Sequence, residues 1–300
     1  MSDGKFVTAV AISAEVKSQI VQTKATCPFI GTAVSTVDLA VRNDPDNPLA
    51  SVDDVRELGN TGGGDLGDVL QLFATGNHLL MRGSQGKLDT KMPPGLFSLE
   101  FPGSHGSHPG HSGILQGDPR TLASGRLSLV DFERLTRRAR AGVVTRSDVA
   151  RFIAENLHRD PNSKVFGTAT AALLLGDLNS FVGGIGPTLV TKLGASEARA
   201  ADAHRDLEAK LTKLLGEDNL VGAAGEFGLL FAFLANKSDA KQVDGEPTIA
   251  VSDLQAMFVD KRFPEGWRNW RKSRADWVKN TTALLLGAGA ELLRLRKEHT

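Results

Sequence analysis

Residues 145–157 read Thr145-Arg146-Ser147-Asp148-Val149-Ala150-Arg151-Phe152-Ile153-Ala154-Glu155-Asn156-Leu157, and two independent signals in them agree. Thr145 and Asp148 have the spacing of a capping box, in which each side chain satisfies the other residue's backbone N–H. Val149, Phe152, Ile153 and Leu157 follow at three- and four-residue intervals, which puts them on one helical face. The stretch predicts a capped amphipathic helix, and the rest of the chain mostly repeats its period. Ser51 with Asp54 forms a second box ahead of Val55 and Leu58. Leu66, Val69, Leu70 and Phe73 line a short helix between Gly62-Gly63-Gly64 and Gly76. Further helices are predicted at 129–139, 165–181, 196–215, 251–259 and 274–295. Phe227 to Leu234 is apolar on every side, which fits a helix buried all round and equally a short buried strand. Few stretches alternate as a half-buried strand would. The expected fold class is therefore all-α, and without a repeat or a low-complexity linker the 300 residues read as a single mostly helical domain. One segment breaks the pattern. From Gly83 to Arg126 the chain turns to glycine, proline, serine and histidine, a long irregular loop of a size that calls for a ligand or a function to order it.

Composition removes several function classes. With 35 basic and 35 acidic residues the formal net charge is zero, so nothing points to nucleic acid as a partner. No uninterrupted apolar run reaches membrane-spanning length. The short apolar stretch Phe6 to Ile12 has only Lys5 before it, which reads as a cytoplasmic start or as a mature one whose leader has been removed. A single cysteine excludes an internal disulfide and any site needing two thiolates.

That cysteine stands in Thr26-Cys27-Pro28-Phe29, followed by Ile30, Val34, Val37 and Leu39. Proline is tolerated in the first turn of a helix because its missing N–H would have been an orphan donor. Cys27 would then sit at a helix start, where unpaired amides favour a thiolate usable as a nucleophile or as an axial metal ligand. Packing as a small buried hydrophobe is the plainer alternative.

Four segments, in order, resemble the fungal heme-thiolate haloperoxidase and peroxygenase family. Cys27-Pro28 resembles its proximal Pro-Cys-Pro motif, with Thr26 in place of the first proline. His111-Ser112-Gly113-Ile114-Leu115-Gln116-Gly117-Asp118, with Leu127-Ser128-Leu129 and Asp131, is similar to its Glu-Gly-Asp-Ala-Ser metal segment. Gly225-Glu226-Phe227 leading into Leu230-Phe231-Ala232-Phe233 resembles the segment of its distal acid-base glutamate. Met257-Phe258 through Lys261-Arg262-Phe263-Pro264-Glu265-Gly266-Trp267 resembles its C-terminal phenylalanine-rich helix and turn. The resemblance implies a helical domain enclosing heme b, with Cys27 on the iron and Pro28 and Phe29 beside it. It implies Glu226 as the acid-base, and Mg²⁺ near a heme propionate held by Gln116, Gly117 and Ser128. It implies hydrogen peroxide and a small apolar organic molecule as partners. Where the family departs, so do the expectations: Gln116 replaces the metal-binding glutamate and brings no charge to a hard cation. Asn219 occupies the place of the arginine that partners the glutamate in the peroxygenase branch. His105 and His111 (with His108) are candidates for the distal histidine of the haloperoxidase branch.

One carboxylate can move a proton from one peroxide oxygen to the other when it lies within hydrogen-bond reach. Glu226 among Phe227, Leu229, Leu230 and Phe231 is a carboxylate in an apolar neighbourhood; a glutamate stabilised at a helix N-terminus is the plainer reading. The histidines at 105, 108 and 111 could also hold zinc, or pack in a loop. Gly62-Gly63-Gly64-Asp65 has no strand before it, against a phosphate cradle. Residues 124–131 echo half of a calcium loop, but Arg120 would take the first ligand position. Trp267, Trp270 and Trp277 among Arg268, Arg271, Lys272 and Arg274 predict indoles docked on the core with the basic groups in water. Asn236-Lys237-Ser238 and Asn280-Thr281-Thr282 match the glycosylation pattern by chance unless the chain is secreted. Two other functions stay open: a heme-dependent lyase or dehydratase, and a non-catalytic helical binding or structural protein.

Overall fold

The computed structural model describes residues 12–23, 27–43, 45, 48–71, 95–99, 115–116, 126–159, 163, 165 and 219–298. The helix expected at 196–215 and nearly all of that at 165–181 lie outside them. So do Phe73, Gly76, Arg120 and most of the 83–126 loop.

Helix α1 (Ala14–Thr23) precedes α2 (Pro28–Ser35). Cys27 is the residue before the first helical position, with extended-type dihedrals, and Pro28 follows at N1. The Gly31 amide donates to the Cys27 carbonyl at 2.7 Å, so the helix begins where the proline predicts. Residues 28–34 are all buried.

Strand β1 (Leu49–Ser51) leads into α3 (Val52–Asn60), whose cap is Ser51: its hydroxyl accepts from the Asp54 amide at 3.3 Å. A 3-10 turn (Thr61–Gly63) and a helical stretch over 67–71 follow. The glycine run fits chain against chain rather than a ligand. A Cβ on Gly62, at φ +67°, would meet the Trp270 carbonyl at 2.3 Å, and one on Gly64 the Lys272 carbonyl at 2.5 Å. Asp65 closes the junction, donating its amide to the Lys272 carbonyl and accepting from the Arg274 amide, each at 2.9 Å. Two parts of the segment expected to be irregular are short strands. β2 (Leu96–Ser98) pairs antiparallel with β1, and β3 (Leu115–Gln116) pairs antiparallel with β4 (Arg126–Leu127).

Next come α4 (Leu129–Thr136), β5 (Val143–Thr145) and α5 (Arg146–Arg159). Then α6 (Asn219–Leu234), β6 (Gln242–Val243), β7 (Glu246–Ala250) and α7 (Val251–Leu254) follow. A π-turn (Gln255–Val259), a 3-10 turn (Trp267–Asn269) and α8 (Arg274–Glu298) complete the order. The capping box at 145 is reciprocal: the Thr145 amide donates to Asp148 Oδ2 at 3.0 Å and the Asp148 amide to Thr145 Oγ1 at 3.1 Å. Asp148→Ala should lower stability by about 1 kcal/mol, read from the midpoint of chemical denaturation, because the Thr145 amide and hydroxyl lose their acceptor. Val143-Val144-Thr145 also forms a strand, paired antiparallel with β7 in the register Val144 to Ile249. Three residues are too short to show alternation. The fold is thus mostly helical with small antiparallel sheets rather than purely α.

The all-apolar stretch 227–234 is the second half of α6, a buried helix and not a strand. One face packs on α5, with Phe152 and Phe227 edge to face at 6.2 Å. A second packs on α8, where the buried Trp277 donates its indole N–H to the Gly225 carbonyl at 3.1 Å. No helix among the described residues is long and apolar enough to cross a membrane.

The basic aromatic segment docks its indoles as expected, with Trp267 and Trp277 buried and Arg268 and Arg271 exposed. Lys272 departs from the expectation, being fully buried. Its ammonium donates to the carbonyls of Trp267 and Trp270 and lies 4.5 Å from the centre of the Trp267 ring. Burial, helped by the nearby Arg268 charge, draws its pKa down to about 8. Unfolded, the lysine keeps its proton to about 10.4. Between these values the unfolded chain binds more protons, so stability rises with pH. The urea midpoint should therefore climb from pH 8 to 10, and climb less in Lys272→Met. Asn280 is buried as well, so that glycosylation match is not accessible in the folded chain.

Candidate functional site

Cys27, at the start of α2, is partly exposed and packs on the edge of the core. The first turn of α2 is held by aromatic rings from two distant parts of the chain. Phe29 stacks on Phe233 of α6 at 4.9 Å, lies 5.5 Å from Phe263 and meets Trp267 edge-on at 6.4 Å. Phe263 and Trp267 stack at 3.8 Å. The second turn is fixed by the Thr32 hydroxyl, which donates to the Met257 carbonyl at 3.2 Å. Just beyond α2, Asp38 forms an ion pair with Arg268. The Phe-rich C-terminal segment is thus the bed on which the cysteine-bearing helix lies.

Glu226 is buried, both carboxylate oxygens included, and it stands in the interior of α6 rather than at its N-terminus. It is seven residues from Phe233, which places the two on one face, about 10 Å apart along the axis. That face is separate from those given to α5 and α8. Phe29, two residues from Cys27, stacks on Phe233 of this face.

Lys261 stands on a third element. It follows the π-turn in a left-handed conformation, φ +52°, within the short run between Met257, fixed to Thr32, and Phe263, packed on Phe29. Burial draws its pKa down to about 8, and the Cys27 sulfur opposes that shift. The helix start places the unpaired amides of α2 at Cys27, which favours an anionic sulfur.

The other expected site residues fall apart into three groups. Asn219 opens α6, a full two turns before Glu226. Gln116 lies in β3 opposite Arg126, and Ser128 caps α4. The Ser128 hydroxyl accepts from the Asp131 amide and donates to Asp131 Oδ2 at 2.8 Å, while Arg134 and Arg159 bond the same carboxylate. Burial raises the Asp131 pKa, but these hydrogen bonds outweigh it and hold the carboxyl below its usual range. Ser128 is therefore committed to a cap amid arginines. His105, His108, His111 and Gly117 lie outside the described residues. Among the described residues no group of three or more His, Cys, Asp or Glu could hold a metal ion.

No protein-family model, no curated protein and no solved structure matches the chain.

Proposed function

We propose that this protein is a peroxide-dependent oxidase of small apolar organic molecules, a peroxidase or peroxygenase, working through heme b ligated by Cys27. The observation that carries the reading is the convergence of α2 and α6. The lone cysteine sits at a helix start, and the ring two residues on stacks on Phe233 of the helix that also bears the buried Glu226. Cys27 is the residue that would hold the iron, a soft sulfur at a helix start, and the buried Glu226 would be the acid-base. A thiolate-ligated heme, when bound, supplies the electron density that favours O–O cleavage.

The chain's own residues do the rest. Pro28 and the buried first turn of α2 fix the sulfur in place, and Phe29, Phe263 and Trp267 give it rigid support. Glu226 takes the proton from one oxygen of hydrogen peroxide and returns it to the other, which leaves as water, while the first oxygen goes to the substrate. The apolar flanks Leu229, Leu230 and Phe233 exclude water and favour an apolar substrate.

The test is turnover of a small aromatic or alkene by hemin-reconstituted protein with ¹⁸O-labelled hydrogen peroxide. Consumption of peroxide with labelled product is the expected result. Conversion without peroxide would give the site to a lyase or dehydratase, and a protein that stays colourless with hemin would make it a non-catalytic helical protein.

A further inference from the structure

Without a sequence repeat, the fold nevertheless repeats a topology. α4, β5 and α5 make one helix–strand–helix unit; α6, β7 and α7, continued by the π-turn, make another. The units join through β5 and β7, antiparallel with Val144 opposite Ile249. Ser147-Asp148-Val149 and Ser252-Asp253-Leu254 stand at the same offset from those two residues. Each aspartate is buried and is the third residue of its helix. In the first unit Gly142, at φ +78°, precedes Asp148 by six residues. That is the interval between the turn glycine and the bidentate carboxylate of a 12-residue calcium loop, and the whole is the plan of two paired EF-hands. The other cation ligands are missing. Ala139 and Ala141 take the third and fifth loop positions, and Asp148 Oδ2 accepts from the Thr145 amide and hydroxyl at 3.0 and 2.8 Å. In the second unit a cation is in place, and it belongs to the protein. Lys237, just past α6, donates its ammonium to both oxygens of Asp253 at 3.0 and 2.9 Å, as a bidentate carboxylate holds a metal. Asp239 lies 3.2 Å from the same nitrogen, and the Trp270 ring centre 5.7 Å. The Asp253 side chain is only 8% exposed, and that of Lys237 15%. A cavity of about 220 Å³ opens beside the pair, bordered by Gly142, Thr248 and Ser252.

We propose that the loop between α6 and α7 is a divalent-cation site of EF-hand type whose cation position is filled by the Lys237 ammonium. The proposal is independent of the heme reading. The ammonium ties the end of α6 to the start of α7 without a metal, and its removal uncovers a weak site for a hard divalent or trivalent cation. The clamp reaches further than its own loop, because α7 runs into the π-turn whose Met257 carbonyl accepts from Thr32 of α2.

Two measurements on the full chain test it: Tb³⁺ luminescence sensitised by tryptophan, and thermal unfolding with and without Ca²⁺. The wild-type unfolding midpoint should not move with Ca²⁺ or with a chelator. Lys237→Ala should unfold at a lower temperature, regain most of that loss in millimolar Ca²⁺, and bind Tb³⁺ at least roughly 10-fold more tightly than wild type, with a Kd of about 10⁻⁴ to 10⁻³ M, the weak end of such loops. Lys237→Arg keeps the charge and should behave as wild type. Added to Lys237→Ala, Trp270→Phe should remove most of the Tb³⁺ signal and spare the protection by Ca²⁺, while Asp253→Asn should abolish both. Equal Tb³⁺ binding by wild type and Lys237→Ala, no protection of Lys237→Ala by Ca²⁺, a signal untouched by Trp270→Phe, or protection that survives Asp253→Asn would overturn the proposal. A Lys237→Ala chain that folds only when Ca²⁺ is supplied would support it, and one that fails to fold even then would overturn it.

Discussion

Glu226→Gln should slow peroxide activation by roughly 10²- to 10⁴-fold while hemin stays bound, because the amide is nearly isosteric but cannot carry the proton between the two peroxide oxygens. Stopped-flow absorbance after mixing with peroxide reads the step directly. The size of the effect separates catalysis from packing. Glu226 is buried in the middle of a helix that also carries Phe227 against α5 and Gly225 against α8. A merely structural glutamate would alter the denaturation midpoint and leave the rate per bound heme unchanged. Equal rates in wild type and Glu226→Gln at matched heme occupancy would reject its role.

Gly228→Val should be the most damaging core substitution on the same helix. A Cβ at residue 228 would lie 2.1 Å from Thr281 Oγ1, 3.1 Å from the Thr281 nitrogen and 3.2 Å from its Cα. Two of these are backbone atoms of α8, which cannot rotate away, so the helices must separate. Overpacking of this kind costs about 1–3 kcal/mol or more, and the branched valine belongs at the upper end. Urea denaturation of Gly228→Ala, Thr281→Ala and the double variant gives the coupling. The double variant should recover part of the alanine loss, since only the hydroxyl contact is relieved. Additive losses would mean that the two helices do not meet at these residues.

The helices were legible where cap and period coincide. Thr145 with Asp148 and Ser51 with Asp54 each place a helix start, because a capping box is a local interaction written within four residues. The buried α6 was half legible: an all-apolar run carries no period, and only its length distinguishes helix from strand. Strands β5 and β7 were not legible, since their pairing joins residues more than 100 positions apart. The same kind of distance hid the packing around Cys27. Cys27 and Glu226 were visible as residue types, and Pro28 gave the helix start. That Phe29 stacks on Phe233 depends on a contact between segments some 200 residues apart in sequence. Lys272 was misread for a related reason. Its two carbonyl acceptors come from the tight turn before α8, and basic composition alone says only that such a residue is usually in water.

The reduced carbon monoxide spectrum of hemin-reconstituted protein tests the axial sulfur most directly. A red-shifted Soret band of the thiolate type, lost in Cys27→Ser, is the predicted result. A histidine-type band in an active sample, or a thiolate-type band that survives Cys27→Ser, would contradict the assignment of Cys27 to the iron.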